Sequence, residues 1–188
     1  MSTLSARGEV WTGAHLSGWP AASRRVAVEL VNKYGPPHET TARTLLWHGN
    51  GQWKRTVLHR AGAKHNFPLP HEDILEQTIN YRVPAEKVGA LIAYDGSLVV
   101  DHTRGELTAF CDSEAQNHIM LNLADDIVTG QRSVDEALGY HAQMVRAMQT
   151  HVREAYPLTL KFKPQSAAQA ADPGHEAELL EHLESDGT

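Results

Sequence analysis

Between Ser97 and Asp112, apolar and polar side chains alternate about a central Arg104-Gly105, and no other stretch constrains the fold as tightly. Successive side chains of a strand point to opposite faces. Pairing Thr103 with Glu106 therefore collects Leu98, Val100, His102, Leu107, Ala109 and Cys111 on one face, and Val99, Asp101, Thr103, Glu106, Thr108 and Phe110 on the other. A slip of one residue would turn the apolar row outward, so the pattern specifies a hairpin and its register.

A second hairpin is expected from Thr41–His48 and Trp53–His59, which flank Gly49-Asn50-Gly51-Gln52. An Asn-Gly centre is the strongest short hairpin signal. With Asn50-Gly51 as the loop, His48 faces Trp53 and Leu45 faces Thr56. His48 and His59 then sit at opposite ends, roughly 17–20 Å apart at about 3.4 Å per residue, too far to share a metal. Farther on, Leu75, Gln77, Ile79, Tyr81 and Val83 alternate with Glu76, Thr78, Asn80 and Arg82, the pattern of a half-buried strand.

Helical spacing of Val26, Ala27, Leu30, Val31 and Tyr34 predicts a helix from Ala21 to Tyr34, closed by Gly35 and Pro36-Pro37. Pro84 opens a short helix to Ala93. Two more begin at capping boxes, Ser113 with Gln116 and Ser133 with Glu136, the second running to Glu154. Leu158–Phe162 reads as a last short strand. The sum is an α+β fold in the order α-β-β-β-α-β-β-α-α, an antiparallel sheet of about five strands (two hairpins plus one strand) covered by three to four helices. Residues 18–163 make one domain, 1–17 a flexible N-terminal arm, and 164–188 a disordered acidic tail with a transient helix at His175–Glu184.

A formal charge of −6 leaves no basic stripe to neutralise phosphates, so nucleic acid is not an expected partner. No run of about 18 apolar residues exists to span a membrane, and none precedes Trp19 as a signal peptide would require. The single Cys111 makes no internal disulfide and fits a reducing compartment, so a cytoplasmic protein is expected.

Histidine is in excess, 12 in 188 residues, which directs attention to metal ligation. The familiar zinc signatures are missing: no Cys-x-x-Cys, His-x-His or His-Glu-x-x-His occurs. What remains is the proline-stiffened stretch His65–Gln77, where His65 and His71 meet Glu72, Asp73 and Glu76. From that set His65, His71 and Glu76 are the expected ligands of one divalent metal, zinc, iron or manganese. The plain alternative is a solvated loop in which Asp73 bonds the local backbone.

A second candidate lies on the helix Glu114–Thr129, apolar on most sides except for His118, Asn122 and Asp125 or Asp126. A helix buried nearly all round must find partners for such groups. As a site, Asp125 would orient His118 as a general base, with Asn122 facing the ligand; as structure, the line is a satisfied polar ladder. Trp53 and Tyr81, with Trp47, are the expected aromatic wall of a ligand pocket. Asp101 and Glu106 share a face as a diagonal carboxylate pair that Arg104 can neutralise. Cys111 falls opposite Leu98, more than about 10 Å from His102, and reads as a small core residue rather than a thiol–imidazole partner. His141, in a Met/Val stripe, reads as a core histidine.

Two functions follow. In one, the chain is a small-molecule enzyme or ligand-binding protein with a His/carboxylate site between sheet and helices, and its loop histidines converge on a concave polar pocket. In the other it is an acidic interaction protein, a homodimer without chemistry, with dispersed histidines and an exposed apolar face. The element order, size and acidity resemble those of the small acidic type III secretion chaperones, and that resemblance implies the second function.

Overall fold

A computed structural model describes residues 3–4, 10–11, 13–149, 159–172 and 174. β1 (Thr3–Leu4) and β2 (Val10–Trp11) pair with each other near the N-terminus. The main sheet is built from β3 (Glu39–Thr40), β4 (Thr44–Asn50), β5 (Trp53–His65), β6 (His71–Asn80), β7 (Leu98–Asp101) and β8 (Glu106–Cys111). Its spatial order is β3-β4-β5-β6-β8-β7, antiparallel throughout. The helices are α1 (Ala21–Tyr34), α2 (Val88–Tyr94), α3 (Glu114–Val128), α4 (Val134–Gln149) and α5 (Ala167–Ala170). The expected element order holds; the sheet has six strands because two residues of β3 add an edge.

Opposed residues share a face, and the register strings one apolar row across the sheet: Leu45 faces Leu58, Leu58 faces Leu75, and Leu75 faces Cys111. All the large helices lie over this row. α1 brings Val26, Ala27 and Leu30 onto Leu45, Trp47, Leu58 and Leu75. α2, α3 and α4 bring Leu91, Ile119, Leu123 and Met144 onto Ile79, Leu107 and Ala109. Burial of each such side chain is worth about 1.5–3 kcal/mol, so this single layer is what holds the helices. No helix among the described residues is long and apolar enough to cross a membrane.

Both turns differ in register from the simplest reading. In β4–β5, Asn50 faces Trp53 and His48 faces Arg55, so the loop is Gly51-Gln52, with Gly51 at φ 70°. Pairing moved by two residues, an even shift that leaves every side chain on its expected face. In β7–β8, Leu98 faces Ala109 and Asp101 directly faces Glu106 across a four-residue turn. Those two carboxylates are not an acid–base pair. Asp101 meets Arg104 at 3.1 Å, whereas Glu106 is buried between Lys54 at 2.8 Å and Arg55 at 2.7 Å. Burial alone would raise the Glu106 pKa, but the two cations hold it below the usual carboxylate range.

Capping also departs in one place. Ser133 and Glu136 form the expected box, but Ser113 spends its hydroxyl on Asp112 and makes no cap bond. The unforeseen box, Ser166 with Gln169, starts α5. Residues 164–172, placed in the tail by composition, lie against the domain: the Gln165 amide donates to Asn80 O, and the backbone of Ala170 touches Gly105. Residues 159–162 are not a strand; Asn122 holds them by bonds to Thr159 O and from the Lys161 amide. Residues 150–158 and 175–188, including the expected end of the fourth helix and the transient helix, lie outside the described residues.

The largest difference is the length of β5 and β6, which run to His65 and from His71, so the presumed loop is mostly strand. Between the pairs Leu58–Leu75 and Ala63–Asp73, β5 advances five residues while β6 advances two, a pronounced bulge. Gly62 sits in it against the Asp73 carbonyl, where a β-carbon would also lie 2.7 Å from Ile74 Cγ2. Gly62→Ala is therefore expected to cost about 1–3 kcal/mol, read as a lower urea midpoint at unchanged m-value; an unmoved midpoint would show that the bulge opens freely.

Candidate metal centre

Extending β6 back to His71 decides which carboxylate joins the histidines. Side chains alternate, so His71, Asp73, Leu75 and Gln77 point to the helix-covered face while Glu72 and Glu76 point away. His65 faces His71 across the hairpin end, and their rings lie 5.0 Å apart. The result is a set, His65, His71 and Asp73, whose ligand atoms all lie within 4.8 Å of one another. Glu76 does not belong to it; its carboxylate meets His59 Nε2 at 2.8 Å. Asp73, assigned to local backbone bonding in the plain reading, takes the place expected for Glu76.

The hairpin tip is received by the turn between α2 and β7. Ser97 Oγ donates to Asp73 Oδ2 at 2.5 Å and lies 3.4 Å from His65 Nδ1. The Ser97 amide donates to Asp95 Oδ1 at 2.9 Å, and His65 Nε2 is 3.8 Å from that oxygen. Both acids are buried, Asp73 at 1% and Asp95 at 3% exposure, and the only ion-pair partners either has among the described residues are His65 and His71. Burial raises the Asp95 pKa, and the neighbouring Asp73 carboxylate adds to it against the Ser97 amide and the imidazoles. Cys111 arrives at the end of β8, its Sγ 3.3 Å from His71 Nε2. Burial, then the carboxylate of Asp112, pushes its thiol pKa well up.

The tautomer of His71 follows from its contacts. Nδ1 lies 2.7 Å from Leu69 O, and a carbonyl can only accept, so Nδ1 carries the proton. Nε2 lies 2.8 Å from Asp73 Oδ1; a neutral ring presents a lone pair there and a charged ring forms an ion pair. That close approach is not a directed hydrogen bond, and Oδ1 is a buried oxygen with no donor. With the ring neutral, two acceptors face each other beside the pocket, which is an arrangement a cation relieves. A ring held by a backbone carbonyl through one nitrogen and offering the other is also how ligating histidines are oriented.

A pocket of about 270 Å³ opens beside His71, walled by Pro68, Leu69, Pro70, Val145 and Met148 with Cys111, Asp112 and Gln116. Behind it, His141 is buried with Nδ1 3.0 Å from the Tyr94 hydroxyl, and the Phe67 ring stands edge-on to it at 5.3 Å.

The other expected site residues are dispersed into structural roles. Asp125 accepts from the Tyr81 hydroxyl at 2.7 Å, whereas His118 faces the Gln52 carboxamide and the Trp53 ring, 5.0 Å away. Seven residues of helix separate His118 from Asp125, about 10 Å along the axis, so they form no dyad. Burial lowers the His118 pKa to about 4, which makes it a weak base at neutral pH. Trp53 donates its indole N–H to Glu114 at 2.7 Å inside the core, and Asn122 clamps the 159–161 segment. These pairs make a polar ladder spread over separate partners, with His118 Nδ1 left unpartnered.

No known protein family, curated protein or solved structure matches this chain.

His141 supplies a test of the electrostatics. Burial, with the nearby His71 and His65, lowers its pKa from 6.5 to about 4. Between those values the unfolded chain takes up a proton that the folded chain refuses, so stability falls as pH drops from 6.5 toward 4. Its share of that loss is roughly 3 kcal/mol. His141→Gln, which cannot titrate, is expected to flatten the slope of unfolding free energy against pH in this window. An unchanged slope would mean that His141 titrates normally.

Proposed function

We propose that this chain is a small-molecule enzyme or ligand-binding protein holding one divalent metal, zinc, iron or manganese, on His65, His71 and Asp73. The observation that carries this is the approach of His71 Nε2 to the undonated Asp73 Oδ1 at 2.8 Å while Nδ1 is committed to Leu69 O. Leaving a charged acceptor buried and unpaired costs at least about 1–3 kcal/mol, and a bound cation removes that cost at both atoms together. Two imidazole nitrogens and one carboxylate oxygen suit a borderline transition metal better than calcium or magnesium, which prefer oxygen alone.

The pocket at His71 supports a ligand-handling role over a purely structural one. A bound metal there would act as a Lewis acid toward an oxygen or nitrogen of a small molecule lying against Pro68–Pro70 and Met148. The interaction-protein reading calls for a gathered apolar face, and the large exposed apolar residues, Val28, Ile92, Val99 and Met148, stand on four different elements.

Untagged protein is expected to take up one equivalent of zinc, counted by plasma mass spectrometry after desalting. At about a hundred times its Kd, free metal should add about 2.7 kcal/mol to the unfolding free energy. His71→Ala and Asp73→Asn should each abolish both effects. Untagged wild-type protein that takes up no metal at micromolar concentrations would sink the proposal.

A further inference from the structure

We infer that Cys111 is the fourth donor of this centre, binding the metal through its sulfur, an inference that rests on the metal reading above. Cys111 is placed by pairing, not by chance of packing: it closes β8 opposite Leu75, on the same sheet face as His71 and Asp73. Its Sγ lies within hydrogen-bond reach of His71 Nε2, at 3.3 Å, the nitrogen that Leu69 O does not hold. In a tetrahedral site with metal–nitrogen bonds of about 2.0 Å and a metal–sulfur bond of about 2.3 Å, the nitrogen–sulfur edge is about 3.5 Å. That one spacing is already close to the edge, and Cys111 stands outside the set of atoms within 4.8 Å of one another, so binding draws its sulfur inward. The buried oxygen of Asp73 that lacks a donor lies against the same nitrogen, so two imidazoles and a carboxylate gather there independently of the thiol.

Binding is a ligand addition: the sulfur–metal bond forms as the S–H bond breaks, and the proton leaves to solvent through the pocket that Cys111 lines. A sulfur donor beside two imidazoles and a carboxylate narrows the metal class to zinc, with cobalt as its spectroscopic substitute, and disfavours manganese. Four protein donors also close the resting coordination shell, so a small molecule in the pocket reaches the metal as a fifth donor.

Cobalt(II) titration of the intact protein decides the matter, because the chain has a single cysteine and any sulfur signal is its own. Wild-type protein is expected to show visible d–d absorption together with a near-ultraviolet sulfur-to-cobalt charge-transfer band. Cys111→Ser should keep the visible bands, lose the charge-transfer band, and bind zinc more weakly by over about tenfold, the least that loss of even an outer partner costs. Visible bands without charge transfer in the wild type overturn the inference and leave the metal reading standing. No cobalt uptake by the wild type overturns both.

Discussion

The pairing of β5 with β6 is the constraint on which the rest of the molecule depends. These are the two longest strands, and they occupy the middle of the sheet with β4 on one side and β8 on the other. The cores beneath α1 and beneath α3 both rest on their buried residues, Leu58 and Leu75 for one and Ile79 for the other. The bulge opposite Ile74 changes the local twist of the ribbon, and the hairpin end meets Asp95 and Ser97 of the α2–β7 turn. Without that bulge the Leu58–Leu75 register would carry on and set His71 opposite Gly62, so the two histidines would no longer face each other. Gly62 is required because the two backbones approach too closely there for any β-carbon.

Two kinds of buried acid share this frame, and the contrast between them separates structure from site. Glu114 gathers four donors from three elements: Lys33 and Tyr34 on α1, Trp53 on β5 and Gln77 on β6. Burial would raise its pKa, yet those hydrogen bonds carry it below the usual carboxylate range. Such a carboxylate ties α1, the sheet and α3 together, and nothing about it calls for a ligand. Asp73 and Asp95 are more deeply buried, yet each keeps an oxygen with no donor, and the ionisable groups nearest Asp73 are imidazoles rather than lysine or arginine. A fold that supplies four donors to one acid and leaves two others short has not merely failed at satisfaction. Other buried atoms without partners are amide oxygens of Asn50, Asn80 and Asn117 and His118 Nδ1; the two carboxylates are the ones that lie beside the histidine cluster.

The same comparison explains the two histidines on the helices. His118 and His141 are buried and held neutral, their pKa values each lowered to about 4. They make the molecule acid-sensitive without being proton carriers at neutral pH. Histidine excess in the composition therefore has more than one cause. Two residues serve the candidate metal centre, two are core residues with polar partners, and His48 and His59 pair with surface glutamates.

The sequence by itself determined the layered α+β architecture, the faces of both hairpins, the ends of α1, and the need of α3 for polar partners. Those features depend on period-two and helical repetition and on turn chemistry, which act over a few residues and are legible in a linear string. It also singled out His65 and His71. That Asp73 rather than Glu76 lies beside them was not legible, because Arg60-Ala61-Gly62-Ala63-Lys64 carries no alternation, so neither strand could be extended to the histidines and the period of two could not be applied there. Only the tertiary structure decided that Asp73 faces inward, that Ser97 meets it, and that Asp95 and Cys111 meet His65 and His71. Those residues come from separate strands and turns, and what joins them is sheet order and a bulge, set by backbone pairing and close packing rather than by any spacing along the chain.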